Sequence, residues 1–208
     1  MRRRSRLASA LVLAFACIAC GDAGDTAGGL TADEISVART PPGGFRETFP
    51  APVLARCTEP LVDGAPDLRG LWRTLHAERM GRPVADDDRI HHYVERIEQC
   101  GDRIVDMGGG TIADARADGT VENGVHDVSA LDFTTPLVVI ATYEEGVFVL
   151  RPAGLPGIEV TRRLDADGHM VWTRPDRGGL VVTLVRDGEG AGTPVNTFFP
   201  YQPNAAVE

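Results

Sequence analysis

Residues 137–186 read LVVIATYEEGVFVLRPAGLPGIEVTRRLDADGHMVWTRPDRGGLVVTLVR, and this stretch decides the fold. Runs rich in β-branched and aromatic residues, Leu137–Tyr143, Val147–Arg151, Ile158–Leu164, His169–Thr173 and Leu180–Arg186, are set apart by Glu145-Gly146, Asp167-Gly168 and Gly178-Gly179. Such dipeptides supply the positive φ that tight hairpin turns need. Strands joined in chain order by tight turns make an antiparallel meander.

The same punctuation extends toward the N-terminus. Leu71–Ala77, Tyr93–Gln99, Arg103–Met107, Thr111–Arg116 and Thr120–Ser129 read as strands, with turns at Gly101-Asp102, Gly108-Gly109-Gly110 and Asp118-Gly119. A meander of this length removes its exposed edges by closing on itself. The expected fold is therefore all-β: an antiparallel up-and-down β-barrel of eight to ten strands. One segment departs from the pattern. Ile90, Tyr93, Val94 and Ile97 follow helical spacing, and Asp86-Asp87-Asp88 precede them as capping residues. This predicts a short helix near Asp87–His92 that gives way to a strand and lies across the barrel mouth as a lid.

The ends of the chain carry other signals. Met1 to Arg6 is basic, and Leu7 to Ala19 is apolar and uncharged, the pattern of a signal peptide over residues 1–19. That run is too short to span a bilayer as a helix, which takes about 20 apolar residues. Ile18-Ala19-Cys20-Gly21 resembles the end of a lipobox, with Cys17 where the motif usually carries Leu or Val. The resemblance implies acylation at Cys20 and a membrane anchor. Gly21 in place of Asp implies the outer membrane or cell surface rather than the inner membrane. The alternative is ordinary cleavage that leaves Cys20 free. Residues 20–66, rich in Gly, Ala, Thr, Pro and Asp, read as a flexible tether, residues 67–186 as one barrel domain, and residues 187–208 as a tail.

Charge and cysteine usage narrow the function. All 21 basic residues are arginine, so a P-loop or Schiff-base lysine is excluded. Loss of residues 1–19 would move the net charge from −9 to −13, which disfavours nucleic-acid partners. With Cys17 removed and Cys20 acylated, Cys57 and Cys100 are the natural disulfide pair in an oxidising envelope; two buried free thiols are the alternative. In a meander both would sit at the same end of the barrel.

Leu68-Arg69-Gly70-Leu71-Trp72 resembles the Gly-x-Trp opening of the lipocalins and their calycin relatives. The resemblance implies that Gly70 admits a tight entry turn, that Trp72 plugs the closed end, and that Arg186, ending the last strand, packs over Trp72. Independently of the family, a guanidinium on an indole gains roughly 0.5–2 kcal/mol.

Recognisable catalytic patterns are sparse. Ser36 and Ser129 lie in no Gly-x-Ser-x-Gly, and Ser129 shares a strand with its neighbours His126 and Asp127, so no triad is expected. His76, His91, His92, His126 and His169 form no metal-ligand spacing, and no metal or cofactor is expected. Asp86–Asp88, Glu144, Glu145, Asp165 and Asp167 read as turn residues. Alternation instead points to a pocket. Ile158, Val160, Arg162 and Leu164 share one strand face, which makes Arg162 an interior cation in need of a carboxylate or an anionic ligand. Phe148, Leu150, Met170 and Trp172, with Thr74 and His76, are the other expected ligand-facing residues. This resembles the fatty-acid-binding arrangement, in which an interior arginine receives a carboxylate. The expected function is binding or carriage of a small hydrophobic molecule, neutral or anionic, in the cell envelope. The alternatives are a non-enzymatic protein-interaction module with a filled core, and a barrel enzyme acting on a bound lipid.

Overall fold

The computed structural model describes residues 29–45, 48–121, 127–129 and 132–187. The expected signal segment, the anchor Cys20, the start of the tether, His126 and residues 188–208 of the tail lie outside the described residues. Among the described residues no helix is long and apolar enough to cross a membrane.

The strands are β1 (Gly70–Arg79), β2 (Arg82–Pro83), β3 (Val94–Cys100), β4 (Arg103–Gly108), β5 (Thr111–Arg116), β6 (Asp127–Val128), β7 (Pro136–Leu137), β8 (Val139–Glu144), β9 (Val147–Pro152), β10 (Val160–Leu164), β11 (Met170–Arg174) and β12 (Leu180–Asp187). Ladders run in the order β5-β4-β3-β1-β12-β11-β10-β9-β8, with β2 paired to β1. Each is antiparallel, and the meander is a nearly closed barrel whose first and last strands, β1 and β12, are hydrogen-bonded along their length.

Nine strands cannot close with every neighbour antiparallel. The direction of the chain leaves β5 and β8 running the same way, and no ladder joins them. Among the described residues the chain after β5 meets β8 in one antiparallel bridge, Asp118 to Thr142, with the Gly119 N–H donating to the Ala141 carbonyl at 2.9 Å. The expected strand over Thr120–Ser129 is thereby corrected for its described part: only Asp127–Val128 is paired, and with β7 rather than with the barrel.

Strand alternation divides the inside from the outside. Cross-strand register places Trp72, Glu95 and Gly108 on the inner face, together with Asp106, Arg162, Trp172 and Val182. One end of the lumen is packed solid by Leu68, Trp72, Ile97, Ile104, Phe148, Met170 and Leu184. Trp72 is fully buried there, its Nε1–H donating to the Leu68 carbonyl at 2.7 Å. The Arg186 guanidinium lies over its ring, 4.6 Å from the centroid, and donates to the carbonyls of Arg69 and Asp67. Gly70 has φ of +130°, a backbone conformation that residues with a side chain rarely adopt, so the entry turn is restricted to glycine.

The expected tether is corrected from Leu30 onward, because this segment is packed as a strap on the outside of β3, β4 and β5. Phe45, Phe49, Val53 and Leu54 cover Val105, Met107 and Ile112, which face outward. The strap has almost no backbone ladder of its own, so side chains of the sheet satisfy its polar groups. Arg103, bonded to Asp114 in a buried pair, donates to the carbonyls of Ala32, Ile35 and Ser36. Asp114 accepts from the Ala38 N–H, and Glu98 from the Leu54 N–H, both at 2.7 Å. Cys57 and Cys100 are joined in a disulfide, with Cα atoms 6.1 Å apart, at the packed end of the barrel.

A bond that closes a sequence separation of 43 is worth about 4 kcal/mol in the chain-entropy view. The double variant Cys57→Ala/Cys100→Ala is therefore expected to lose about that much stability in urea unfolding, with the strap becoming protease-sensitive. A loss under about 1 kcal/mol would show that the sheet side chains hold the strap without the bond.

Candidate functional site

The lumen that is packed at the Trp72 end opens at the other. Above the core lies a cavity of about 700 Å³, within the range typical of small-molecule sites. Its walls come from the inner faces of β5, β8, β9, β10 and β12, through Ala113, Val139, Leu150, Val160 and Leu180. Its rim comes from Leu137, Leu155, Arg79 and Arg177. The expected lid is present in shorter form, as a single 3-10 turn over Arg89–His92. Asp88 caps it, with its carboxylate accepting from the Ile90 N–H at 2.9 Å. Ile90 is buried and lines the cavity. Thr74 lies beneath this turn, and its hydroxyl donates to the Ile90 carbonyl at 2.7 Å.

Five polar or aromatic residues, Arg162, Glu95, Asp106, Tyr93 and Trp172, form the floor. Arg162 on β10 is 3% exposed and donates through Nη2 to Glu95 Oε2 on β3 at 2.9 Å and to Asp106 Oδ2 on β4. Glu95 is fully buried and also accepts from the Tyr93 hydroxyl at 2.9 Å. Tyr93 stacks on Trp172, ring centroids 4.8 Å apart, and the Arg162 guanidinium sits 5.4 Å from the Trp172 centroid. Arg174 approaches the same ring at 5.6 Å.

Burial sets the protonation of this floor. It pushes the Asp106 carboxyl up to about 8, against the pull of Arg162 and helped by the neighbouring carboxylate of Glu95. At neutral pH Asp106 is therefore largely protonated. Burial works against a charged Arg162, but the carboxylates of Asp106 and Glu95 more than offset it, and Arg162 stays a cation. Burial, with Glu95 and Asp106 adding to it, holds the Tyr93 hydroxyl well above its ordinary range. The Arg162 guanidinium is thus held among two acidic side chains, Glu95 and Asp106, and beside a neutral phenol.

The residues expected from the sequence separate into three groups. Arg162, Trp172 and Leu150 line the cavity. Phe148 and Met170 are inward but belong to the packed core. His76 is corrected outright: a bulge between Thr74 and His76 inserts Leu75, so His76 turns to solvent and Ala77 takes the inward place. His76 bonds Glu78 on the surface at 3.1 Å. Glu95 and Asp106 were not anticipated. The available signal was the demand of Arg162 for a counter-charge, together with the fact that these are the carboxylates at alternate positions of neighbouring strands.

Among the described residues, two groups have metal-ligand proximity. Cys57, Glu59 and Cys100 are placed together by the disulfide, which occupies both sulfurs. Asp165, Asp167 and His169 surround a hairpin turn in which Asp165 Oδ1 accepts from the backbone N–H of Asp167 and His169, both at 2.9 Å. That is the work of a turn aspartate. No protein-family model matches the chain, and no curated protein shows significant similarity to it.

A folded carboxyl held at about 8, against about 3.9 in the unfolded chain, binds its proton more tightly in the native state. Its contribution to stability is therefore greatest below pH 4, declines as pH rises, and is gone above about 8. Thermal unfolding of the wild type is expected to fall by several degrees between pH 5 and 9 relative to Asp106→Asn, which cannot titrate. Parallel pH profiles for the two proteins would show that Asp106 is ionised throughout.

Proposed function

We propose that this chain is an envelope lipoprotein, similar to lipocalins, that binds and carries a small, largely apolar molecule inside its barrel. The observation that carries the reading is the one-ended cavity of about 700 Å³ with an apolar wall and a packed floor. A barrel that only served as a scaffold would gain by filling that space, since a void forfeits packing contacts. The lid turn over Arg89–His92 and the apolar rim at Leu137 and Leu155 fit a mouth through which such a molecule enters. Residues 1–20 supply the envelope part of the proposal through their signal-peptide pattern and lipobox-like cysteine.

A second reading is favoured by one observation. A neutral Asp106 beside Glu95 and Tyr93 at the edge of an apolar cavity has the pairing from which acid–base chemistry is built. Under that reading the barrel would transform its ligand instead of delivering it unchanged.

Native mass spectrometry of residues 21–208, purified from a periplasm without detergent, tests both. A retained molecule that extracts chemically unchanged supports carriage. A retained molecule that differs from the one supplied supports chemistry. Val160→Trp, which places an indole in the cavity, is expected to weaken retention at least about tenfold; retention equal to wild type would move the ligand out of the barrel.

A further inference from the structure

We propose that the mouth of the cavity is a head-group site for an anionic amphipath, a carboxylate or phosphate monoester on an apolar tail, with Arg89 and Arg177 receiving the anion while the tail fills the barrel. This rests on the carrier reading above and specifies its ligand class and orientation.

The first support is the sign of the mouth. Arg79, Arg89, Arg162, Arg174 and Arg177 all line the cavity. Three of them are answered by acids: Arg162 by Glu95 and Asp106 at the floor, Arg174 by Asp176 at 2.7 Å, and Arg79 by Asp88 at 3.5 Å. Arg89 and Arg177 have no ion pair among the described residues. The carboxylates that line the mouth are engaged elsewhere. Asp176 meets Arg174 through both oxygens, and Asp88 gives one oxygen to the Ile90 N–H and the other to Arg79. Asp86 and Asp87 are exposed and lie outside the cavity lining. The mouth is therefore cationic on a chain whose net charge is −9, and a cleft of one sign concentrates ligands of the other.

The second support is placement. Arg177 ends a single turn, Pro175–Arg177, between β11 and β12, and Arg89 opens the lid turn. The Arg79–Asp88 pair links the two turns. Asp88 directly precedes Arg89, and the Arg79 side chain passes within 3.5 Å of where a Cβ on Gly178 would lie. Both unpaired arginines thus belong to the β1–β12 side of the opening, whereas the apolar rim residues Leu137 and Leu155 belong to the segments around β8, β9 and β10. Arg177 is half-buried, where burial and the Arg174 cation work against its charge, with Asp176 opposing them. An anion beside it would offset that cost.

The floor offers no comparable place. Arg162 already bonds two acidic side chains, so an anion entering head first would meet a satisfied cation between Glu95 and Asp106. The tail, in contrast, finds Ala113, Val139 and Val160 along the wall.

Calorimetric titration of the disulfide-intact protein near neutral pH with decanoate, decyl phosphate, decanol and decyltrimethylammonium, each below its micellar concentration, tests this. The two anions are expected to bind at least about tenfold tighter than the alcohol and the cation. Arg89→Gln and Arg177→Gln should each weaken the anions roughly threefold to tenfold and leave decanol unchanged. Val160→Trp should weaken anions and alcohol alike. Decanoate binding untouched by Val160→Trp overturns the proposal, because the anion would then be held on surface arginines without its tail in the barrel. Decanoate binding lost in Val160→Trp but unchanged in both arginine variants overturns the mouth site and returns the head group to Arg162, with the carrier intact. Equal binding of all four probes overturns any head-group site and also leaves the carrier intact. If none of the four binds, the carrier reading fails and the mouth site falls with it.

Discussion

An arginine inside an apolar barrel has to be neutralised, and the interior is arranged around that requirement. Arg162 reaches from β10 to Glu95 on β3 and Asp106 on β4, with β1, β12 and β11 intervening in the sheet. The contact therefore spans the lumen instead of running along a ladder. Removal of Arg162 from such a cluster would leave buried acidic groups without their cation, a loss of roughly 3–5 kcal/mol in comparable cases. The same polar bar separates two regimes: close-packed side chains toward Trp72 and open space toward Ile90.

Much of the barrel was legible because its strands are short and their turns use residues whose backbone preferences are specific. Gly146, Gly168 and Gly178 take positive φ where the dipeptides indicated turns. The inward face of β10 to β12 could be read by alternation because their outer faces meet solvent. On β4 alternation failed. Ile104, Val105 and Met107 are all buried, one facing the lumen and two facing the strap. With both faces covered, a strand loses its period-two signature, and Asp106, inward among apolar neighbours, carries no sequence signal of its pairing with Arg162. His76 was lost for a different reason: a one-residue bulge inverts every side chain beyond it, and a bulge leaves little trace in a sequence. The strap was unreadable as packed structure because its order comes from Arg103, Asp114 and Glu98, residues distant in the chain, and not from a periodicity of its own.

The parity of the strands has a counterpart in the shape of the cavity. β5 and β8 run in the same direction and are left unladdered, and the lining residues Ala113, Val139 and Leu137 flank that seam. The opposite wall, with β1 and β12 zipped together, is the stiff side. Separation of β5 from β8 would cost only the Asp118–Thr142 bridge and the side-chain contacts around it, so any widening for a bulky guest is expected on this side.

The docked strap also sets a leash. Leu30 bridges to Cys57, which the disulfide holds to Cys100 at the packed end of the barrel. Under the proposed anchoring at Cys20, a stretch of nine residues separates that cysteine from Leu30. At roughly 3.5 Å per residue it could reach at most about 30 Å, whereas a free tether through residue 66 would have reached several times farther. The point where the chain joins the barrel is at the packed end, away from the mouth. On so short a leash it is the closed end of the barrel, and not its opening, that stays nearest the point of attachment.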